Sequence, residues 1–124
     1  MNTISKADAL NTILNTLSAS SGDIEASAVI STDGLMIASN FPAGLDEDRV
    51  AAMAAALLSM GERASGELSR GELDQIFIKG AGGNLILVTA GNEGMLTTLT
   101  TAGAKLGLVF LDMKRAAEEI TRIM

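Results

Sequence analysis

The stretch Val-Ala-Ala-Met-Ala-Ala-Ala-Leu-Leu at residues 50–58 carries no polar side chain over more than two turns of a helix. Alanine and leucine are strong helix formers, so the stretch predicts a helix. A helix that rests on a sheet needs only one apolar stripe, and the opposite face of this helix therefore needs a second cover. We expect that cover to be a second copy of the chain, because an apolar patch left in water favours aggregation. A loop, or the first or last helix of the same chain, is the alternative cover.

The apolar residues of this helix fall into two sets at helical spacing, and the sequence leaves open which set faces the sheet. The first set is Val50, Met53, Ala54, Leu57 and Gly61, and the second is Ala51, Ala52, Ala55, Ala56 and Leu58. Met60 and Ala64 extend the apolar pattern further along the chain. Asp46, Glu47 and Asp48 precede the stretch, where negative charge suits the positive end of the helix dipole.

The sequence on both sides of this helix predicts an α+β domain of residues 1–124 with a five-stranded antiparallel sheet and the order α-ββ-α-βββ-α. Helical spacing of Leu10, Ile13, Leu14 and Leu17 predicts the first helix. A hairpin with Thr32-Asp33-Gly34 at its turn follows, and Ile24, Ala26, Ala28 and Ile30 are expected to share one side of its first strand. The remaining predictions are strands at 73–79, 85–90 and 95–101, then a helix from about Ala102 to Ile123 in which Gly103 and Gly107 allow close backbone packing.

The composition excludes several classes of function. The chain has 124 residues without cysteine or histidine, so the usual thiolate nucleophile, general base and transition-metal ligand are missing. A net charge of −6 and 2% aromatic residues argue against binding to nucleic acid. No apolar run is long enough for a membrane span, and the N-terminus lacks the features of a signal peptide. We therefore expect a cytoplasmic protein with no cofactor, no metal and no membrane insertion.

Two motifs invite a catalytic interpretation, and neither supports it. The glycines at residues 80–83 precede a strand, whereas a phosphate-binding loop lies between a strand and a helix and continues into Lys and Ser or Thr. They are predicted to form a hairpin turn. The adjacent carboxylates Glu118 and Glu119 are predicted to lie on a solvated face of the last helix.

Three stretches together resemble the roadblock/dynein light chain domain family. Their composition is most similar to that of its prokaryotic, MglB-like members. They are Ala-Val-Ile-Ser-Thr-Asp-Gly-Leu-Met-Ile-Ala-Ser at residues 28–39, the alanine-rich helix after Leu45, and Gly-Leu-Val-Phe-Leu-Asp-Met-Lys-Arg-Ala-Ala-Glu-Glu-Ile at residues 107–120. The resemblance implies homodimers or heterodimers in which the second helices pack together and the third strands pair into one ten-stranded sheet. Expected interface residues are thus Val50, Met53, Ala54, Leu57, Met60, Gly61, Ala64, Leu73, Gln75 and Phe77.

The same resemblance implies a non-catalytic homodimer, with higher assembly left open, that scaffolds or regulates a Ras-like small GTPase. Some family members stimulate GTP hydrolysis by rearranging the catalytic residues of the GTPase. Arg49, Arg63 and Arg70 are accordingly read as partners of surface carboxylates and not as residues inserted into a GTPase. The alternative is a small-ligand sensor of the GAF, PAS or profilin-like kind, with hydroxyls supplied by Thr97, Thr98, Thr100 and Thr101.

Overall fold

The structure is a computed structural model that describes residues 5–124. It confirms the predicted order of elements. The helices and strands are α1 (Lys6–Ser20), β1 (Ile24–Ser31), β2 (Met36–Asn40), α2 (Glu47–Glu67), β3 (Gln75–Gly80), β4 (Gly83–Ala90), β5 (Gly94–Thr100) and α3 (Leu106–Ile123).

The strands form one antiparallel sheet in the order β2-β1-β5-β4-β3. The hairpin of β1 and β2 joins the meander of β3, β4 and β5 through pairing of β1 with β5, for example Ala28 with Thr97. This junction is the expected one, because an isolated two-stranded hairpin is marginally stable in water. The fold is therefore the predicted α+β layered domain.

The helices divide between the two faces of the sheet. α1 and α3 cover one face with a cluster that includes Leu10, Leu14, Val29, Ile86 and Ile120. α2 covers the other face with a smaller cluster that includes Ala28, Ile30, Leu58, Leu87 and Met95. All four apolar residues predicted for the first helix are buried in the larger cluster.

Side chains cap the first two helices. Ser5 Oγ accepts a hydrogen bond from the Asp8 amide at 3.1 Å, and Asp46 Oδ1 accepts one from the Arg49 amide at 3.2 Å. Both bonds satisfy amide groups that the first turn of a helix leaves without a partner.

The start of α3 corrects the sequence prediction. The helix begins at Leu106 instead of about Ala102, because the residues before it form a turn in which the Ala104 amide donates to the Thr101 carbonyl at 3.3 Å. The Asp23 carboxylate, from the turn between α1 and β1, accepts a hydrogen bond from the Lys105 amide at 2.9 Å just before the helix. The expected close packing at Gly103 and Gly107 is also wrong, since a methyl group added at either glycine would meet no atom within 4 Å.

Strand β1 shows a second correction. Its pairing with β5 shifts by one residue between Ile24 and Ala26. A one-residue shift moves a side chain to the other face of a sheet. Ile24 therefore packs with α1 and α3, while Ala28 and Ile30 pack under α2.

Candidate self-association surface

The side of α2 that faces the sheet consists of Ala51, Ala54 and Leu58, all buried. Neither of the two sets drawn from the sequence is this face, because each contributes part of it. Ala54 is 1% exposed and packs in the cluster with β1, β4 and β5. The prediction that Ala54 lies on a partner-facing surface is therefore wrong, because its methyl group is buried in the protein's own core.

Five other apolar residues of α2 recur at helical spacing beside this face, and we name them the α2 seam: Val50, Met53, Leu57, Met60 and Ala64. Their spacing alternates between three and four residues, the a/d pattern with which one helix packs against another. Met53 and Met60 are 54% and 66% exposed, and Ala64 is exposed as well. Val50 and Leu57 are half-buried and connect the seam to the core below α2.

Gly61 holds α2 close to the edge of the sheet. A methyl group added there would lie 2.8 Å from Ile76 Cδ1 and 3.0 Å from Leu73 Cδ2, so these two side-chain ends would have to shift to make room for it. Leu73 precedes β3, which starts at Gln75 and not at Leu73 as predicted, and it is half-buried against the α2 cluster. Gly61 and Leu73 therefore position α2 beside β3 and offer little surface of their own.

Strand β3 lies at an edge of the sheet, as the family resemblance implies. All of its residues except Ile76 are exposed. Alternate residues of an antiparallel strand direct their backbone groups to the same side. The Asp74 carbonyl accepts a hydrogen bond from the Thr89 amide at 3.0 Å, which sets the residues that pair with β4. The backbone groups of Gln75, Phe77 and Lys79 consequently point away from the sheet.

The side chains of β3 alternate between the two faces of the sheet. Ile76 packs with α2, and Phe77 lies on the opposite face against Phe110 of α3. The two rings meet edge to face with centroids 5.7 Å apart, a favourable arrangement for aromatic pairs. Phe77 is still 39% exposed.

Two further exposed apolar residues on α3, Leu108 and Leu111, were missed by the sequence reasoning. Leu111 shares a cleft with Gln75 and Phe110, so the apolar surface of β3 continues onto α3. The sequence could have indicated them, because Leu108 and Leu111 are large apolar residues outside the apolar stripe of a regular amphipathic helix.

The charged groups around α2 are exposed. Arg63 Nε donates to Glu67 Oε1 at 3.0 Å, the surface pairing expected from the sequence, and Arg70 Nε donates to the Leu68 carbonyl at 2.9 Å. A pair this exposed contributes little to stability. Within residues 5–124, no group of three or more acidic side chains converges as a metal site would require.

The threonines considered for ligand binding are part of the core. Thr97, Thr98 and Thr100 are buried, and the Thr98 hydroxyl donates to the Met113 sulfur at 3.2 Å. None of these threonines lines the cleft of about 230 Å³ near Glu62 and Glu72, and only Thr100 borders the open cleft of about 310 Å³ beside Gly83 and Asn84. Across the part of the chain that the structure describes, no helix combines the length and apolarity needed to cross a bilayer.

Comparison with known proteins agrees with this geometry. The roadblock/LC7 domain model matches residues 11–100, and the chain belongs to this family. Uncharacterized protein MJ1340 of Methanocaldococcus jannaschii is 45% identical over 97 residues, which cover 78% of this chain and 84% of that protein.

Among solved structures the fold is similar to that of MglB. Myxococcus xanthus MglB superposes with a TM-score of 0.89 and 21% identity, over 99% of this chain and 92% of that one. A structure described as MglB with tetrameric arrangement gives the same score and identity, over 99% of this chain and 93% of that one. At this identity the likeness concerns the fold.

Proposed function

We propose that the protein is a homodimeric, non-catalytic scaffold that binds a Ras-like small GTPase in the cytoplasm. The observation that carries the proposal is the apolar α2 seam beside an unpaired β3 edge. Each is a surface that a second copy can cover: the seam by helix packing and the edge by backbone hydrogen bonds. The two lie next to each other, with Gly61 of α2 close to the Ile76 side chain of β3.

The size of the exposed surface supports self-association over a purely structural role. Met53 and Met60 lie one heptad apart and are both more than half exposed. Burial of apolar surface is worth roughly 25 cal/mol per Å², so two such seams facing each other offer several kcal/mol before the costs of association. The described tetrameric arrangement of an MglB with this fold is consistent with assembly through such surfaces.

Binding of a small GTPase is supported by membership of the roadblock/LC7 family and by the fold shared with MglB. The chain supplies no histidine or cysteine, and its Arg63 and Arg70 are engaged in local hydrogen bonds. We therefore propose that it acts on a GTPase by binding and not by contributing a reacting group.

Self-association is tested by light scattering of purified protein from micromolar to submillimolar concentration. We expect a dimer, and we expect Met60→Glu to weaken it by at least about 100-fold, because a charge placed in an apolar helix interface loses its hydration. Ser59→Glu is the matched control: it introduces the same side chain at the next residue, which is exposed and outside the seam. A strict monomer over this range would refute the proposed dimer.

GTPase binding is tested by co-purification with the Ras-like GTPases of the same organism, each loaded with GDP or with a non-hydrolysable GTP analogue. We expect retention that differs between the two nucleotide states, with no GTP hydrolysis by the chain alone. Equal absence of binding in both states would argue against a GTPase partner. A thermal-shift screen of metabolites distinguishes the sensor alternative, which predicts stabilisation by a small molecule.

A further inference from the structure

We propose that Met53 and Met60 are sites of reversible oxidation, and that conversion of their thioethers to sulfoxides by peroxide separates one copy of the chain from another. This regulation rests on the self-association proposed above and goes beyond it. Three features of the described chain support it: which side chains can be oxidised, how the fold exposes them, and where the exposed ones lie.

Methionine is the most readily oxidised side chain in this protein. The chain has no cysteine, histidine, tryptophan or tyrosine, and it has seven methionines. Peroxide converts a thioether to a sulfoxide, and methionine sulfoxide reductases reverse the reaction. Mild treatment with peroxide therefore changes this chain at its methionines.

The fold separates two methionines from the others. Apart from Met53 and Met60, the methionines that the structure describes belong to the two core clusters: Met36, Met95, Met113 and Met124. Met95 and Met113 are fully buried, whereas Met53 and Met60 are 54% and 66% exposed. Oxidation follows exposure, because the sulfur must meet the oxidant. Among the described residues, Met53 and Met60 are thus the first that peroxide reaches.

Both exposed methionines lie on the α2 seam, one heptad apart, with Leu57 between them on the same side of the helix. A thioether is apolar and flexible, so it packs well against another apolar surface. A sulfoxide is polar, and its oxygen accepts hydrogen bonds from water. The seam of a second copy is apolar and offers that oxygen no donor, so covering the sulfoxide costs its hydration. Oxidation consequently opposes the packing that the thioethers favour.

The forward reaction needs peroxide as its only co-reactant. The sulfur lone pair forms a bond to one oxygen of hydrogen peroxide, the O–O bond breaks, and the other oxygen takes up the remaining proton and leaves as water. The sulfur loses an electron pair, and the peroxide gains it. In the return direction, a methionine sulfoxide reductase uses electrons from thiols to remove the oxygen as water.

The dimer itself protects the two sulfurs. When the seams of two copies face each other, Met53 and Met60 are covered, and peroxide reaches them only in dissociated chains. Oxidation then blocks re-association, so sulfoxides accumulate in separate chains until a reductase removes them. Dilution increases the dissociated fraction by mass action and should therefore speed oxidation.

The test treats the full chain with hydrogen peroxide, locates sulfoxides by peptide mass spectrometry, and measures the dissociation constant of the dimer by analytical ultracentrifugation. We expect sulfoxides first at Met53 and Met60, and a dimer weakened by at least about 10-fold, because a polar oxygen in the seam loses its hydration. A methionine sulfoxide reductase with a thiol should restore the dimer. The double variant Met53→Leu with Met60→Leu keeps apolar side chains of similar size, so it should remain a dimer after the same treatment.

A second variant measures protection by the dimer. Ala64→Glu places a charge in the seam and keeps both methionines, and Ala64 is exposed, so folding does not depend on it. We expect Met53 and Met60 of this variant to be oxidised at the same rate at every protein concentration. In the unmodified chain, the rate should rise on dilution towards that of the variant.

The outcomes separate the redox regulation from the dimer itself. A dimer that persists with sulfoxides at both Met53 and Met60 would overturn the regulation and leave self-association standing. Equal loss of the dimer in the double leucine variant would assign the effect of peroxide to the core methionines, and it would also overturn the regulation. A chain that is monomeric before peroxide is added would refute the proposed self-association, and the regulation with it.

Discussion

Strands β2 and β3 occupy equivalent positions at the two edges of the sheet, yet only one of them is protected. β2 is half-buried to buried along its length: α1 contacts it, and Ser39 Oγ donates to Glu47 Oε2 of α2 at 2.8 Å. β3 exposes every residue except Ile76. Unpaired edges invite pairing with other chains, and proteins usually cover or interrupt them. The two edges therefore differ in exposure: β2 packs against α1 and is bonded to α2, whereas β3 has most of its residues in water.

The largest difference in the free energy of unfolding is expected between a substitution in α1, which contacts β2, and a substitution in β3. Leu14 is fully buried in α1, the helix that contacts β2, so Leu14→Ala should lower the free energy of unfolding by about 2–5 kcal/mol. Ile78→Ala at the open edge should cost the monomer less than about 1 kcal/mol, because the side chain is partly in water already. Urea denaturation at one protein concentration compares them. Equal losses would mean that the two edges are equally protected.

A proline at an outward position of β3 separates pairing from folding. Lys79→Pro removes an amide that points away from β4, and proline is tolerated on an edge in that orientation. We expect the dimer to weaken by about 10- to 100-fold, since each copy loses one backbone hydrogen bond to the other. Analytical ultracentrifugation measures the dissociation constant. Lys79→Ala keeps the amide and removes the same charge, so an equal loss in this variant would assign the effect to the lysine side chain.

Gly61 and Gly66 provide a matched test of the contact that holds α2 beside β3. Both lie in α2, but a methyl group at Gly66 would meet no atom within 4 Å, whereas one at Gly61 would press on Leu73 and Ile76. Gly66→Ala should raise the free energy of unfolding by up to about 1 kcal/mol through helix propensity. Gly61→Ala should forfeit that gain and weaken the dimer. Thermal denaturation and light scattering test both statements, and equal stabilisation by the two changes would contradict the close contact.

The smallest effect is expected from the ion pair on α2. Arg63→Gln removes the bond to Glu67 and should change stability by less than about 0.5 kcal/mol, because both side chains are largely in water. Thermal denaturation in low and high salt measures the change. A loss above about 1 kcal/mol would show that this part of α2 depends on charge and not on its contacts with Leu73 and Ile76.

Much of the fold was predictable because it depends on local patterns. The helical spacing of the leucines in α1 and the glycine turns of the meander identified their elements directly. The placement of Ala54 was predicted wrongly because a helix that is apolar all round gives no signal of which side meets the sheet. The start of α3 was predicted wrongly because residues 101–104 form a turn, and their helix-compatible composition does not show that Asp23, distant in the chain, bonds to the Lys105 amide.

The sequence by itself determined the number, type and order of the elements, and it placed an apolar helix where one sheet face cannot cover every side. These features follow from propensity and periodicity, which act between near neighbours in the chain. Only the tertiary structure decided which residues of α2 form the seam, that α1 packs against β2, and which backbone groups of β3 point outward. Those properties depend on contacts between residues far apart in sequence, and no local pattern of apolar and polar residues encodes them.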